Sequence, residues 1–346
     1  MAVTPLQRAL SALAQREDLG EALAGEVFAT VMQGEATPAQ VAALLMGLRV
    51  KGESAGEVAG AARALRGAMV GVPVSGNHLI DTCGTGGGRV PTFNISTIAA
   101  LVAAGAGALV AKHGNRSFTS ACGSADVLEA LGVQIMLDAA AARRTLMEAR
   151  LVFLFAPNFH PAMRHVGPVR RELAVPSVMN LVGPLANPAG VKRQVLGVAD
   201  PDRAPVVAEA LTLLGAEHAL VVHGRVGMDE VSPQGITDVW EVRGGAVHRW
   251  ELDPALYRLS IADLGMLQGG TPADNAARAE RLLAGGAEAD PAGLAAVLLN
   301  AGAAIYVAGL AGSYAEGIGR AREVIGSGGA RVALDRLRRA SLNTSG

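Results

Sequence analysis

From about Asn77 the chain settles into one repeating unit, and that unit restricts the folds open to it. A short apolar run is followed by a turn and then by a stretch with helical spacing. The runs "HLIDTCG" (78–84), "ALVAKHG" (108–114), "VQIML" (133–137), "LVFLFAP" (151–157) and "HALVVHG" (218–224) read as strands. Between them "ISTIAALVAAGAG" (95–107), "SADVLEALG" (124–132), "AAARRTLMEA" (140–149) and "APVVAEALTLLG" (204–215) read as helices. Such alternation predicts a mainly parallel sheet covered by helices. One segment departs from it: "TDVWEVRGGAVHRWEL" (237–252) alternates about Gly244-Gly245 and predicts an antiparallel hairpin. From Asn275 onward the pattern is mostly helical.

The N-terminal part carries no strand pattern. Apolar residues three and four apart, broken at Gly34, Thr37-Pro38 and Gly52, predict helices only, with Thr37 as an N-cap and Pro38 at the first helical position. The predicted fold class is therefore α/β: a small helical domain over residues 1–72 and a large α/β domain over 73–346 with a mainly parallel central sheet. A chain of 346 residues has the length for both. Half of its residues are hydrophobic and only 3% are aromatic, so the core must be built from Ala, Val and Leu.

Charge and cysteine usage narrow the function classes. The formal net charge is −1, without the basic excess that holding a nucleic-acid backbone calls for. Residues 291–315 carry no charge over 25 positions, long enough to span a membrane, but the run is Ala- and Gly-rich and contains Asn300, Ser313 and two tyrosines. A central helix packed closely between others is the expected outcome. Cys83 and Cys122 lie in glycine-rich loops with no base placed beside them by sequence, and the opening residues lack a secretory pattern. A reduced, cytoplasmic protein is expected.

Three loops concentrate polar chemistry. "GTGGG" (84–88) puts four glycines into five residues at a predicted strand end, followed by Thr92 and "NIST" (94–97). Bare backbone lets amides approach an anion, and a helix N-terminus adds a positive dipole, so this stretch reads as a phosphate cradle. A tight strand–helix turn is the competing reading of glycines alone, and the pattern is neither a P-loop nor a Rossmann fingerprint. "KHGNRSFTSACGSAD" (112–126) also leaves a strand and enters a helix, with Lys112, His113 and Arg116 among Ser117, Thr119, Ser120 and Ser124. Two such loops at neighbouring strand ends suit one ligand carrying several phosphates. The third, "HGRVGMDEVSP" (223–233), holds Asp229 and Glu230 side by side, a pair suited to Mg²⁺, which takes one or two carboxylates together with phosphates and water.

Together these motifs resemble the anthranilate phosphoribosyltransferases of tryptophan biosynthesis, whose signatures are GTGGD, NIST, KHGNR, SGSAD and a DE pair. They stand here as GTGGG, NIST, KHGNR, CGSAD and Asp229-Glu230, and "FAPNFHPAMRHVGPVRRELAVPSVMNLVGPLANPA" (155–189) and "LLNAGAAIYVAG" (298–309) also look like the family. The resemblance implies a nucleoside phosphorylase/phosphoribosyltransferase type of fold, with part of 164–190 packing on the helical domain, and a homodimer formed through that domain. It implies attack by the anthranilate amine on C1 of phosphoribosyl pyrophosphate. Contacts to phosphoribosyl pyrophosphate would come from Gly84, Gly87, Gly88, Thr92, Asn94, Ile95, Ser96 and Thr97. Lys112, His113, Gly114, Asn115, Arg116, Ser117, Phe118, Thr119, Ser120 and Ser124 would close over the same ligand. Ser96, Asp229 and Glu230 would hold Mg²⁺, with two ions in the complex. Gly84, Asn115 and Arg170 would hold anthranilate, with His113 and His160 as walls of its channel. No acid or base is assigned, because the anthranilate amine is uncharged at neutral pH.

Three positions depart from the family pattern. Gly88 replaces the GTGGD aspartate, which implies weaker capture of a second Mg²⁺ and an altered response to free Mg²⁺. Phe118 is bulkier and Cys122 less polar than the usual occupants of their loop. Two other readings stay open on sequence: a pyrimidine nucleoside phosphorylase of the same architecture, and a non-catalytic nucleic-acid-binding relative. The intact KHGNR and acid pair oppose the first, and the net charge with the retained Asn115 and Arg170 opposes the second. Neither nucleic acid nor a membrane is expected as a partner.

Overall fold

A computed structural model describes residues 3–74, 76–116, 122–285 and 289–343. Four helices come first: α1 (Pro5–Ala14), α2 (Gly20–Gln33), α3 (Pro38–Lys51) and α4 (Ala55–Gly67). The starts of α1, α3 and α4 are capped locally. Thr37 accepts the Gln40 amide and receives the Gln40 side chain on its own amide, while Pro38 opens α3 with its φ already fixed. Gly34 closes α2 in a left-handed conformation, φ 80°.

The sheet follows as β1 (Leu79–Gly84), β2 (Leu109–Gly114), β3 (Leu151–Phe155), β4 (Arg193–Gly197), β5 (His218–Gly224), β6 (Thr237–Arg243) and β7 (Ala246–Leu252). Among the described residues these seven strands form one sheet in the order β3-β2-β1-β4-β5-β6-β7. The first five in that order are parallel, and β6 and β7 form the expected hairpin about Gly244-Gly245. The intervening and following helices are α5 (Ile95–Gly105), α6 (Ser124–Ala130), α7 (Ala139–Ala149), α8 (Ala156–Phe159), α9 (Gly167–Leu173), α10 (Val178–Val182), α11 (Ala204–Leu213), α12 (Pro272–Leu283), α13 (Pro291–Val307), α14 (Tyr314–Gly326) and α15 (Gly329–Leu342).

Alternation along each strand distributes the core to two faces. Leu220 and Val222 join Ile80, Val110, Phe153 and Val195 against α5 and α13, whereas Ala219 and Val221 join Leu196 and Val198 against α11 and the N-terminal helices. Ala162, Val166 and Val169 and Val178, Met179 and Leu181 from the 161–186 segment share that second core with α1–α4. The uncharged stretch becomes α13, buried almost throughout. α14 lies hard against it: a Cβ on Gly317 of α14 would sit 2.3 Å from the Gly302 carbonyl oxygen. Among the described residues no helix is long and apolar enough to cross a membrane.

Two strand assignments change. "VQIML" alternates buried and exposed as a strand would, but 133–138 forms no ladder; the Gln134 amide donates instead to Ser341 Oγ of α15 at 3.0 Å. Alternation reports an extended chain with one buried face and does not name its hydrogen-bond partner. Conversely β4, only five residues long, went unread in the sequence, although it occupies the middle of the sheet.

Candidate active site

Open α/β sheets take ligands outside the carboxyl ends of their strands, where the strand order reverses. Here the reversal falls between β1 and β4, whose last residues, Gly84 and Gly197, are register partners. The loop leaving β1 is fastened there: Thr85 N–H donates to Gly197 O at 2.8 Å, and Ala199 N–H to Thr85 Oγ1 at 3.2 Å. The loop after β5 folds over it, with Arg89 N–H donating to Gly227 O at 2.9 Å. Contact is so close that a Cβ on Gly197 would lie 1.7 Å from the Asp229 carbonyl oxygen, and one on Gly88 2.6 Å from Asp229 Oδ1. Gly86 and Gly87 are left-handed, φ 68° and 82°, and the space beside each Cα is open.

The acid pair anchors on both halves of the expected cradle. The Asp229 carboxylate lies by the Gly86 amide and Glu230 by the Ser96 amide in the first turn of α5, and each amide favours the ionised carboxylate against burial. The other amides of that turn are also engaged, Ile95 N–H on Phe93 O and Thr97 N–H on Asn94 O. Ile95 and Thr97 bury their side chains, and Thr97 Oγ1 has no partner among the described residues, whereas Asn94 and Ser96 remain partly exposed. The helix N-terminus expected to face a phosphate therefore already has the Glu230 carboxylate beside it.

Electrostatics explain what the site lacks. Burial raises the pKa of Asp229, and burial together with the neighbouring Asp229 carboxylate pushes Glu230 up to about 8. Lys112, buried within β2, donates to Ser96 Oγ at 3.1 Å and to the Thr82 carbonyl. Burial also pulls its pKa down, against the pull of Asp81, Cys83 and Glu230. The buried Asp81 and half-buried Glu230 carboxylates share one buried ammonium and are short of positive charge, and the hard oxygen donors of Asp229, Glu230 and Ser96 fit Mg²⁺. Among the described residues no three His, Cys, Asp or Glu side chains cluster as a metal cage. Sequence reading missed the clamp beneath the pair. Buried Asn300 accepts the Val231 amide at 3.0 Å and donates to its carbonyl at 2.9 Å. The available signal was an amide side chain in an otherwise apolar helix.

The second loop is held from behind. Asp81, buried in β1, accepts the His113 amide at 3.1 Å and the Asn187 side chain at 2.8 Å. Gly114 lets Ser124 close in, since a Cβ there would lie 2.5 Å from its Oγ, and Ser124 Oγ donates to Asn115 O at 3.3 Å. Arg116 points elsewhere than expected. Its guanidinium bonds Glu129 at 2.6 and 2.9 Å and Asp126 at 2.8 Å and lies over the Phe155 ring, so its charge is already balanced by α6. Ser117, Phe118, Thr119 and Ser120 lie outside the described residues.

His113 and His160 meet with Nε2 atoms 3.2 Å apart and rings tilted at 5.0 Å. Burial first, then each other and Lys112, drops His113 to about 3, and burial drops His160 to about 4, so both are neutral at pH 7. Arg170, half-buried on α9, bonds Asn180 Oδ1 at 3.4 Å, and no carboxylate among the described residues pairs with it. Burial raises the pKa of Cys83 well above the ordinary thiol value, which disfavours its thiolate.

A helical bundle beside an α/β domain with its site at the switch point defines a recognisable class. Residues 7–69 match the helical bundle domain of the glycosyl transferase family, and residues 76–331 match its a/b domain. The chain is 49% identical to the anthranilate phosphoribosyltransferase of Roseiflexus castenholzii over 96% of its own length and 97% of that protein. Its structure is similar to the crystal structure of the Thermus thermophilus enzyme of that name, with a TM-score of 0.91 and 45% identity, covering 96% of this chain and 99% of that one. It is also similar to the Saccharomyces cerevisiae enzyme solved in complex with phosphoribosyl pyrophosphate and Mg, with a TM-score of 0.88 and 29% identity over 97% and 98% of the two chains. The chain belongs to the anthranilate phosphoribosyltransferase family.

Proposed function

We propose that this chain transfers the phosphoribosyl group of phosphoribosyl pyrophosphate to the amine of anthranilate, giving N-(5-phosphoribosyl)anthranilate and pyrophosphate in tryptophan biosynthesis. The observation that carries the reading is the joining of the GTGGG loop, Ser96, Lys112, Asp229 and Glu230 at the crevice between β1 and β4. Family membership supports it. In this reading Asp229, Glu230 and Ser96 hold Mg²⁺, two ions in the full complex, and the glycine loop with Lys112 surrounds the pyrophosphate. Mg²⁺ supplies neutralisation of the charge that develops on the departing pyrophosphate. Lys112, held by Ser96 Oγ and the Thr82 carbonyl, adds a fixed positive charge to the same region. Arg170, a half-buried cation with no carboxylate partner among the described residues, is suited to pair with the anthranilate carboxylate, with Asn115 and Gly84 beside the ring. Neutral His113 and His160 suit the wall of an aromatic pocket, and an uncharged aniline nitrogen needs no base to attack C1. The helical bundle at 1–72, with part of 164–190, forms the smaller domain and the homodimer contact, and the enzyme works in the cytoplasm. The missing GTGGD acid at Gly88 is the one feature on the side of the nucleic-acid-binding reading, and no observation favours the phosphorylase.

Loss of anthranilate fluorescence on adding phosphoribosyl pyrophosphate across a Mg²⁺ titration tests the activity; a folded protein that shows none at any Mg²⁺ level sinks it. The same titration tests the departure at Gly88. A side chain there starts 2.6 Å from Asp229 Oδ1, so Gly88→Asp both adds a carboxylate and displaces the existing one. The rate profile against free Mg²⁺ should shift between wild type and Gly88→Asp, and superimposable profiles would remove Gly88 from the metal argument.

A further inference from the structure

The start of α5 and the exit of the second loop are tied together by a residue far from both in sequence. Asn275 sits buried in the first turn of α12, with 4% of its surface exposed. Its Oδ1 accepts the Gly270 amide at 2.8 Å, a bond that fixes which way its carboxamide points. The Nδ2 end must then face Asn94, whose Oδ1 accepts it at 3.0 Å. Asn94 is in turn obliged to present Nδ2 to a backbone acceptor, the Cys122 carbonyl, at 3.1 Å. A backbone donor at one end and a backbone acceptor at the other leave this relay a single consistent polarity. The Cys122 thiol leans on the same two amides. Behind the relay the 267–270 turn backs the residues before Asn94: Phe93 N–H donates to Leu267 O at 2.9 Å, and a Cβ on Gly269 would lie 2.8 Å from the Thr92 carbonyl oxygen.

We propose that Asn275 is a positioning residue for the phosphoribosyl pyrophosphate site: by orienting the Asn94 carboxamide it holds the NIST turn and the Cys122 end of the second loop in one register. Asn275 acts through Asn94 and does not itself touch the ligand. The inference rests on the proposed transferase reading, and the test separates the two. Wild type without turnover counts against that reading; an active wild type with unaffected Asn275 variants counts against this inference.

Asn275→Asp keeps the shape and the acceptor for Gly270 but turns an acceptor toward Asn94 Oδ1, so the relay loses its polarity. The KM for phosphoribosyl pyrophosphate should rise about tenfold in Asn275→Asp and in Asn275→Ala, the worth of one well-placed hydrogen bond. The KM for anthranilate and kcat should change less than about twofold. In an Asn94→Ala background, Asn275→Ala should add little, because the path through Asn94 is already cut. Effects that simply add across that double-mutant cycle would overturn the proposal, as would an unchanged KM for phosphoribosyl pyrophosphate in the single variants. Failure of both single variants to fold, read by thermal melting, would assign Asn275 to the fold and overturn it as well.

Discussion

Glu230→Gln gives a protein that is more stable than wild type without Mg²⁺ and at least about a hundredfold slower with it. Both halves follow from the same burial. The folded-state pKa of Glu230 is raised from an ordinary 4.5 to about 8, burial being the larger cause and Asp229 the next. A carboxyl held above its unfolded value contributes most below about pH 4.5 and loses that contribution as pH rises through about 8. The neutral amide keeps an oxygen beside the Ser96 amide and escapes the loss. The gain should be small at pH 5 and reach about 1–2 kcal/mol near pH 8, or ~2–4 °C in melting temperature. Mg²⁺ should reverse the order, because under the proposed function an ion held by Asp229 and Glu230 stabilises the folded wild type by mass action and the variant much less. Melting curves at pH 5 and 8, with and without Mg²⁺, read out every part. A variant that melts like wild type in all four conditions would show that Glu230 is neither strained nor a ligand.

Gly197→Ala is the second large effect, and it comes from one methyl group. The atom it would meet, the Asp229 carbonyl oxygen at 1.7 Å, belongs to the backbone and cannot swing away. The acidic loop must move off the end of β4, stretching the bonds that Thr85 and Arg89 make across the crevice. Overpacking of this kind destabilises by about 1–3 kcal/mol. A displacement near 1 Å at a positioned site slows turnover by about a hundredfold. Gly319→Ala is the control: it lies in α14 with nothing near its missing side chain, so activity should stay and stability should rise by about 0.5–1 kcal/mol. Equal activity in the two variants would mean that the contact between β4 and the acidic loop has no bearing on the reaction.

The contrast between Gly197 and the GTGGG loop shows where sequence reading reaches its limit. GTGGG stands out because four glycines crowd one loop, whereas Gly197 is a lone glycine at the end of a strand too short to be noticed, yet it has the tighter contact. Arg116 offered a cation to a ligand on paper. In the fold Asp126 and Glu129, one turn apart on α6, take it first. Asn275 and Asn300 were two amides in helical stretches until the chain brought them to Asn94 and Val231, 181 and 69 positions away.

What the chain's own letters determined is everything that depends on near neighbours. The capping of α3 by Thr37 and Pro38, the glycine stop of α2, the hairpin at Gly244-Gly245, the parallel strands with their covering helices and the motifs of the family are all local patterns. Backbone sterics and the period of apolar residues suffice to specify them. What only the tertiary structure decided is which local pieces meet. The insertion of β4 beside β1 creates the crevice, Glu230 takes the first turn of α5, and "VQIML" binds a helix rather than a strand. A buried donor, acceptor or charge must find a partner wherever the packed chain supplies one, and that partner is set by distance in space, which no spacing along the sequence records.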